Sequence, residues 1–428
     1  MLTGAQRFPK TAARRLFDDT LHSTIKRKPF VRSWIRSRRF AGLTAFIAGA
    51  SLGGFIGWSP AVQATEVTVS GPETVIFDSD ISGCDNHHLP DSPARAFRNA
   101  KGEMVLFAPN FQNRAFVGYG FDSLKPDCDS RFMAAGKALP ELLDDRTWLQ
   151  AVYTNDGQEV YALGSASFMP YRHDMPCEGR TKRTDCWING LVTLKSTDGG
   201  KTFGYLGNPP HHAPFPPPEP YRDDRKRAPS YVTVTNIMPW QNYLYAIVWR
   251  RADNWEESRN CLVRAPANDP SRWDVWNGTA FEEAAVLGEQ GWTVNKTECA
   301  RVGPVGVSSI RGLVRDEATN NFITVYLHRI RKKDAPDIAG FFYSVSDDLK
   351  NWSEPRLLYQ QPLRRDAEKG DPFVAYPAII DEDSRDRLFG TVDNDASLLF
   401  VRLVPKPYKD RWRVPRQLIR VPITIKED

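Results

Sequence analysis

Ser196-Thr197-Asp198-Gly199-Gly200-Lys201-Thr202-Phe203 decides the fold. Ser and Asp side chains accept from neighbouring backbone groups, Gly199 and Gly200 supply φ > 0, and the aromatic ring tucks under the turn. The segment reads as a hairpin closed by its own side chains. It is a folding device and carries no chemistry itself.

The same order of strand, Asp-bearing turn and aromatic returns at residues 262–276 and 341–355. Apolar strand pairs around tight polar turns occupy 92–107, 147–164, 230–249, 308–328 and 372–392, the last around an Asp-Glu-Asp-Ser-Arg-Asp turn. Repeat starts near 92, 148, 231, 308 and 372 predict an all-β fold, a five-bladed β-propeller of four-stranded antiparallel blades over 65–428. Residues 66–78 add a strand that helps close the ring. Turns joining strands one and two, and three and four, are short and share one face. Connections two-to-three and four-to-one are long and share the other, where function usually sits. Pro209–Pro220 is one of these, read as a stiff crossover segment.

The chain has 428 residues, with 12 Trp, 23 Phe and 14 Tyr to fill a sizeable core. Its formal charge of +5 misleads. Residues 1–40 carry a local net of +9, from 11 Lys/Arg against Asp18 and Asp19, so the remainder carries −4. A mildly acidic body gives no electrostatic argument for nucleic acid. Phe40 to Trp58 then runs 19 residues without a charge, and Val62-Gln63-Ala64 offers small residues at −3 and −1. Residues 1–64 therefore read as a secretory signal, with Ser37-Arg38-Arg39 resembling a twin-arginine signal. An uncleaved membrane anchor is the alternative. Export places the body in the periplasm or outside the cell. All six cysteines, Cys84, Cys128, Cys177, Cys186, Cys261 and Cys299, follow that segment and suit disulfides, with Cys177–Cys186 the expected pair. No zinc-ligand spacing occurs, and there is no P-loop, G-x-S-x-G or H-E-x-x-H.

Candidate chemistry lies where the long loops enter the first strands. Asp91, Asp144-Asp145, Asp223-Asp224, Glu298 and Asp371 precede the five first strands. A glycosidase needs one carboxyl group as acid and one as base or nucleophile, flanking the sugar. Each also has a plain role open to it as a turn cap or loop residue. Arg95 and Arg311 fall among apolar neighbours inside first strands, so they face the channel or are paired, because a buried lone charge is costly. Tyr376 is a similar channel candidate. His87 and His88 point opposite ways on an extended chain, so they suit ligand contact better than a shared metal.

With its Asp-box-like turn, the chain resembles the sialidase-like and arabinanase/fructosidase-like propeller glycosidases. The resemblance implies an Asp base or nucleophile at blade one, matched by Asp91, and a pKa-tuning Asp at blade two, matched by Asp145. It implies a Glu acid at blade three, where no Glu matches. Sialidases proper have six blades and several Asp-boxes. A glycoside hydrolase acting on a glycan or polysaccharide is the leading expectation, with Asp145 or Asp371 as the tuning or second carboxylate, Glu298 or Asp224 as the acid, Arg95 and Arg311 clamping the ligand, and no cofactor. A non-catalytic glycan-binding or envelope assembly propeller is the alternative. A polysaccharide lyase using His87, His88 or Tyr376 is the third. Carboxylates all paired with arginines or buried in turns favour binding.

Overall fold

The computed structural model describes residues 65–290, 293–368, 370–405 and 414–427. The signal or anchor reading of 1–64 lies outside the described residues. Among the described residues no helix is long and apolar enough to cross a membrane.

Five antiparallel blades of four main strands surround a channel. Blade one comprises Arg95–Arg98, Met104–Phe107, Ala115–Gly118 and Lys125–Asp127. Blade two comprises Arg146–Tyr153, Val160–Phe168, Ile188–Ser196 and Gly204–Tyr205. Blade three runs through Ser230–Val234, Tyr243–Arg251, Arg259–Pro266 and Asp274–Trp276, with Phe281–Glu283 added outside. Ile310–Asp316, Phe322–Ile330, Ile338–Ser346 and Arg356–Gln360 form blade four. Phe373–Ile380, Asp395–Leu403 and Arg416–Glu427 form blade five, which is completed by the first described residues of the chain. Thr65–Val69 and Thr74–Asp78 both pair with Arg416–Glu427, and Thr65 lies opposite Glu427.

Each blade presents both faces to its neighbours, so its strands read as nearly continuous apolar runs instead of strict alternation. One core cluster joins Phe97 and Phe107 of blade one to Leu149 and Phe203 of blade two and Tyr231 of blade three. Others lie between blades three and four, four and five, and five and one.

The 196–203 turn is built as its residues dictate. Ser196 Oγ accepts from Gly200 N at 2.9 Å, and Asp198 Oδ1 accepts from Thr202 N at 2.9 Å and Lys201 N at 3.0 Å. Gly199 and Gly200 have φ of 73° and 80°, and Phe203 is buried. Blade four repeats the device. Ser346 Oγ accepts from Leu349 N, Asp348 Oδ1 accepts from Lys350 N and Asn351 N, and Leu349 takes the positive φ.

One connection departs from expectation. The second strand of blade five begins at Asp395, so residues 381–394 form a long loop where a tight turn was expected. Arg98 holds this loop by donating to the carbonyls of Glu382, Ser384 and Asp386. Within it, Thr391–Val392 pairs in parallel with Arg315 and Asp316 of blade four.

The disulfides are Cys84–Cys128, Cys177–Cys186 and Cys261–Cys299. All three staple segments at the long-loop face.

Candidate functional site

First strands two to five share an irregularity. Their ladders shift register between Leu149 and Ala151, Tyr231 and Thr233, Ile310 and Gly312, and Ala375 and Ala378. The residues skipped are Gln150, Val232, Arg311 and Tyr376-Pro377. A bulge re-aims a side chain that regular pleating would send elsewhere. Tyr376 has a φ of 58°, rare for a bulky residue and typical of strained functional positions.

Arg95, in blade one, reaches across to these strands. Its Nε donates to Gln150 O at 2.8 Å, Nη1 to Ala94 O at 2.8 Å, and Nη2 to Val234 O at 3.2 Å and Arg311 O at 2.5 Å. It is 3% exposed. Burial, then the Arg311 charge, pushes its pKa down to about 9, so it stays cationic at neutral pH. One guanidinium thus ties four blades together.

A cavity of about 1160 Å³ opens at the long-loop end and takes residues from all five blades. Blade one gives His87, Leu89, Asp91 and Phe111; blade two gives Arg146, Trp148, Tyr171, Arg183 and Trp187; the blade-three loop gives Trp255. Blade four and its loops give Arg311, His328, Arg329 and Arg331, and blade five gives Arg364, Arg365, Phe373, Tyr376 and Arg416.

At its centre Asp91 Oδ1 accepts from the Tyr376 hydroxyl at 3.0 Å and from Arg416 Nη1, which also donates to Pro90 O. Oδ2 has no partner among the described residues. Burial and the Asp91 charge hold the Tyr376 phenol above its usual range, so it remains protonated. Arg311 lies with its guanidinium 5.7 Å from the Tyr376 ring centroid. Burial disfavours its charge, and no carboxylate pairs with it among the described residues. The Trp148 indole N–H and Arg146 Nε are buried donors without a partner among the described residues. The Arg146 guanidinium stacks 3.9 Å over Phe111.

Of the residues singled out from sequence, Asp91, His87, Arg311 and Tyr376 meet in this cavity, and the others do not line it. Asp145 is buried, accepting from Met169 N at 3.0 Å and Arg172 Nε at 2.9 Å, with His173 Nε2 at 3.1 Å. Asp144 likewise accepts from Ala135 N and the Tyr205 hydroxyl. Glu298 lies between Arg250 and Arg259 at 3.2 and 3.3 Å. Asp371 is exposed, and Asp224 pairs with Arg222. His88 turns away from His87 into the core against Phe77 and Phe116, where burial lowers its pKa to about 4. Arg95 spends its donors on backbone carbonyls.

Sequence reading passed over Arg146, Trp148, Arg331, Arg364, Arg365 and Arg416. Arg331, Arg364 and Arg365 stand on connections already recognised as long, so arginine content in those loops was the available signal. Arg416 sits on the last strand and carries no such mark.

No family model matches the chain, and no curated protein matches it. Among solved structures it is similar to a protein of unknown function from Dyadobacter fermentans, at 13% identity and TM-score 0.47, covering 84% of this chain and 99% of that one. It is similar to an α-L-arabinanase from Cellvibrio cellulosa, at 10% identity and TM-score 0.41, covering 77% and 90%. An α-L-arabinofuranosidase from Lactobacillus brevis gives 11% and 0.41, covering 78% and 91%.

Proposed function

We propose that this is an exported glycan-binding propeller whose ligand enters the cavity at the long-loop face. The carrying observation is the lining itself. Aromatic side chains (Phe111, Trp148, Tyr171, Phe373) stand beside polar donors from blades one, two, four and five, the composition of a site that holds rings and fixes their hydroxyls. Three disulfides support an oxidising compartment.

Binding is favoured over hydrolysis by the count of carboxylates. Displacement at a sugar needs two carboxyl groups flanking the bond. Asp91 is the only carboxylate among the described lining residues, and Arg416 and Tyr376 engage it. The elimination reading loses Tyr376 as its base, because burial and the Asp91 charge hold that phenol protonated, and of its three candidates it keeps only His87 in the cavity.

The test is calorimetric titration of the protein with a panel of oligosaccharides, alongside reducing-end release. Binding without release is expected. Trp148→Ala should weaken it roughly tenfold, or about 1.4 kcal/mol. Absence of binding to every glycan would sink the reading. Release of reducing ends that Asp91→Asn abolishes would restore hydrolysis.

A further inference from the structure

The charge of the cavity is one-sided. Eight arginines line it against a single carboxylate, Asp91. Two of the eight are answered within the chain: Arg416 by Asp91, and Arg329 by Asp337 and Asp366. Arg311, Arg331, Arg364 and Arg365 have no carboxylate partner among the described residues. Arg331, Arg364 and Arg365 are exposed at the rim, while Arg311 is mostly buried at the floor.

A buried guanidinium without a counter-charge is costly, and the ring of Tyr376 offsets only part of that cost. A body that is net acidic outside residues 1–40 therefore concentrates positive charge in this large concave surface. Clefts of one sign focus the field and raise the local concentration of opposite charge. Arginine, with its planar fork, matches a carboxylate through two parallel hydrogen bonds.

We propose that the ligand is a carboxylated polysaccharide, a chain of sugar acids, with one carboxylate seated on Arg311 and others met at the rim by Arg331, Arg364 and Arg365. This rests on the glycan-binding reading above. The aromatic faces would stack the rings between those anionic contacts, which distinguishes the site from a mere polyanion trap.

The experiment titrates the protein with an oligogalacturonate, a neutral oligoglucan of equal length and a sulfated dextran, at about 50 and 500 mM NaCl. The oligogalacturonate is expected to bind at least roughly tenfold more tightly than the neutral oligomer. Arg311→Gln should abolish that preference, and the exposed triple variant Arg331→Gln/Arg364→Gln/Arg365→Gln should flatten the salt dependence with its thermal transition unchanged. The triple variant keeps the proposal testable if Arg311→Gln fails to fold. Binding of the neutral oligomer alone would overturn the anionic assignment and leave the glycan reading intact. Sulfated dextran binding as tightly as the galacturonate, and indifferent to Arg311→Gln, would overturn the carboxylate assignment. No binding to any of the three would remove both.

Discussion

Replacing Arg95 by Met separates architecture from ligand contact. The side chain donates to carbonyls of Ala94, Gln150, Val234 and Arg311, one from each of four blades. A hydrogen bond from a charged donor is worth about 1.5–3 kcal/mol net, and an acceptor left buried costs about 1–3 kcal/mol. Water entering from the cavity recovers part of this, and removing the guanidinium also relieves its desolvation and its repulsion from Arg311. A net loss on the order of 4–6 kcal/mol remains. With an unfolding entropy near 2.1 cal/mol/K per residue, a body of this length should melt about 5–8 °C lower. The assay is thermal unfolding followed by near-ultraviolet circular dichroism, paired with ligand titration below the transition. Affinity of the folded variant should stay within about twofold, because Arg95 does not line the cavity. An unchanged melting temperature with binding lost would refute the reasoning and return Arg95 to the role of ligand clamp.

Gly200→Ala should destabilise by about 2–4 kcal/mol, since φ is +80° and a Cβ would stand 2.6 Å from Phe97 Cζ; an unmoved urea midpoint would contradict this. His88 and His212 are 5% and 1% exposed, and burial lowers both from 6.5 to about 4. The unfolded chain therefore binds more protons between those values, and stability falls as pH drops from 6.5 towards 4, by about 3 kcal/mol per histidine when complete. Denaturation at graded pH checks the slope, and replacing both histidines by Gln should flatten it. Among the disulfides, removing Cys84–Cys128, with a separation of 44, should cost about 1.3 kcal/mol more than removing Cys177–Cys186, with a separation of 9. Paired serine variants compared by chemical denaturation measure that difference.

The ring was legible because its turns announce themselves. Ser196 to Phe203 and Ser346 to Trp352 close by local hydrogen bonds, so their residue types alone set the phase of a blade. Residues 381–394 misled because Asp-Glu-Asp-Ser-Arg-Asp has the composition of a tight turn, whereas Arg98 and the Arg315–Asp316 backbone, distant in sequence, hold it open. The site was legible only in part. Asp91 and His87 lie at the mouth of blade one, where topology sends attention. Arg311 and Tyr376 were marked as polar residues in apolar strands, but the bulges that aim them leave no trace in residue type. Asp145 and Glu298 drew notice as carboxylates, and only folding reveals the arginines and amides that satisfy them. Arg416 joins Asp91 across 325 residues, a separation no local pattern can encode.

The outer edge of blade five carries a kinetic meaning. Because Thr65 lies opposite Glu427, the circle is a clasp whose two halves are the earliest and latest described strands. A chain emerging from the ribosome cannot fasten it until Arg416–Glu427 has been made, and pairing of such long range is slow to form. Four blades would wait as an open crescent with exposed flanks, which gives a quality-control factor a defined interval in which to act. A variant lacking Thr65–Val69 should prolong that interval and aggregate before it melts.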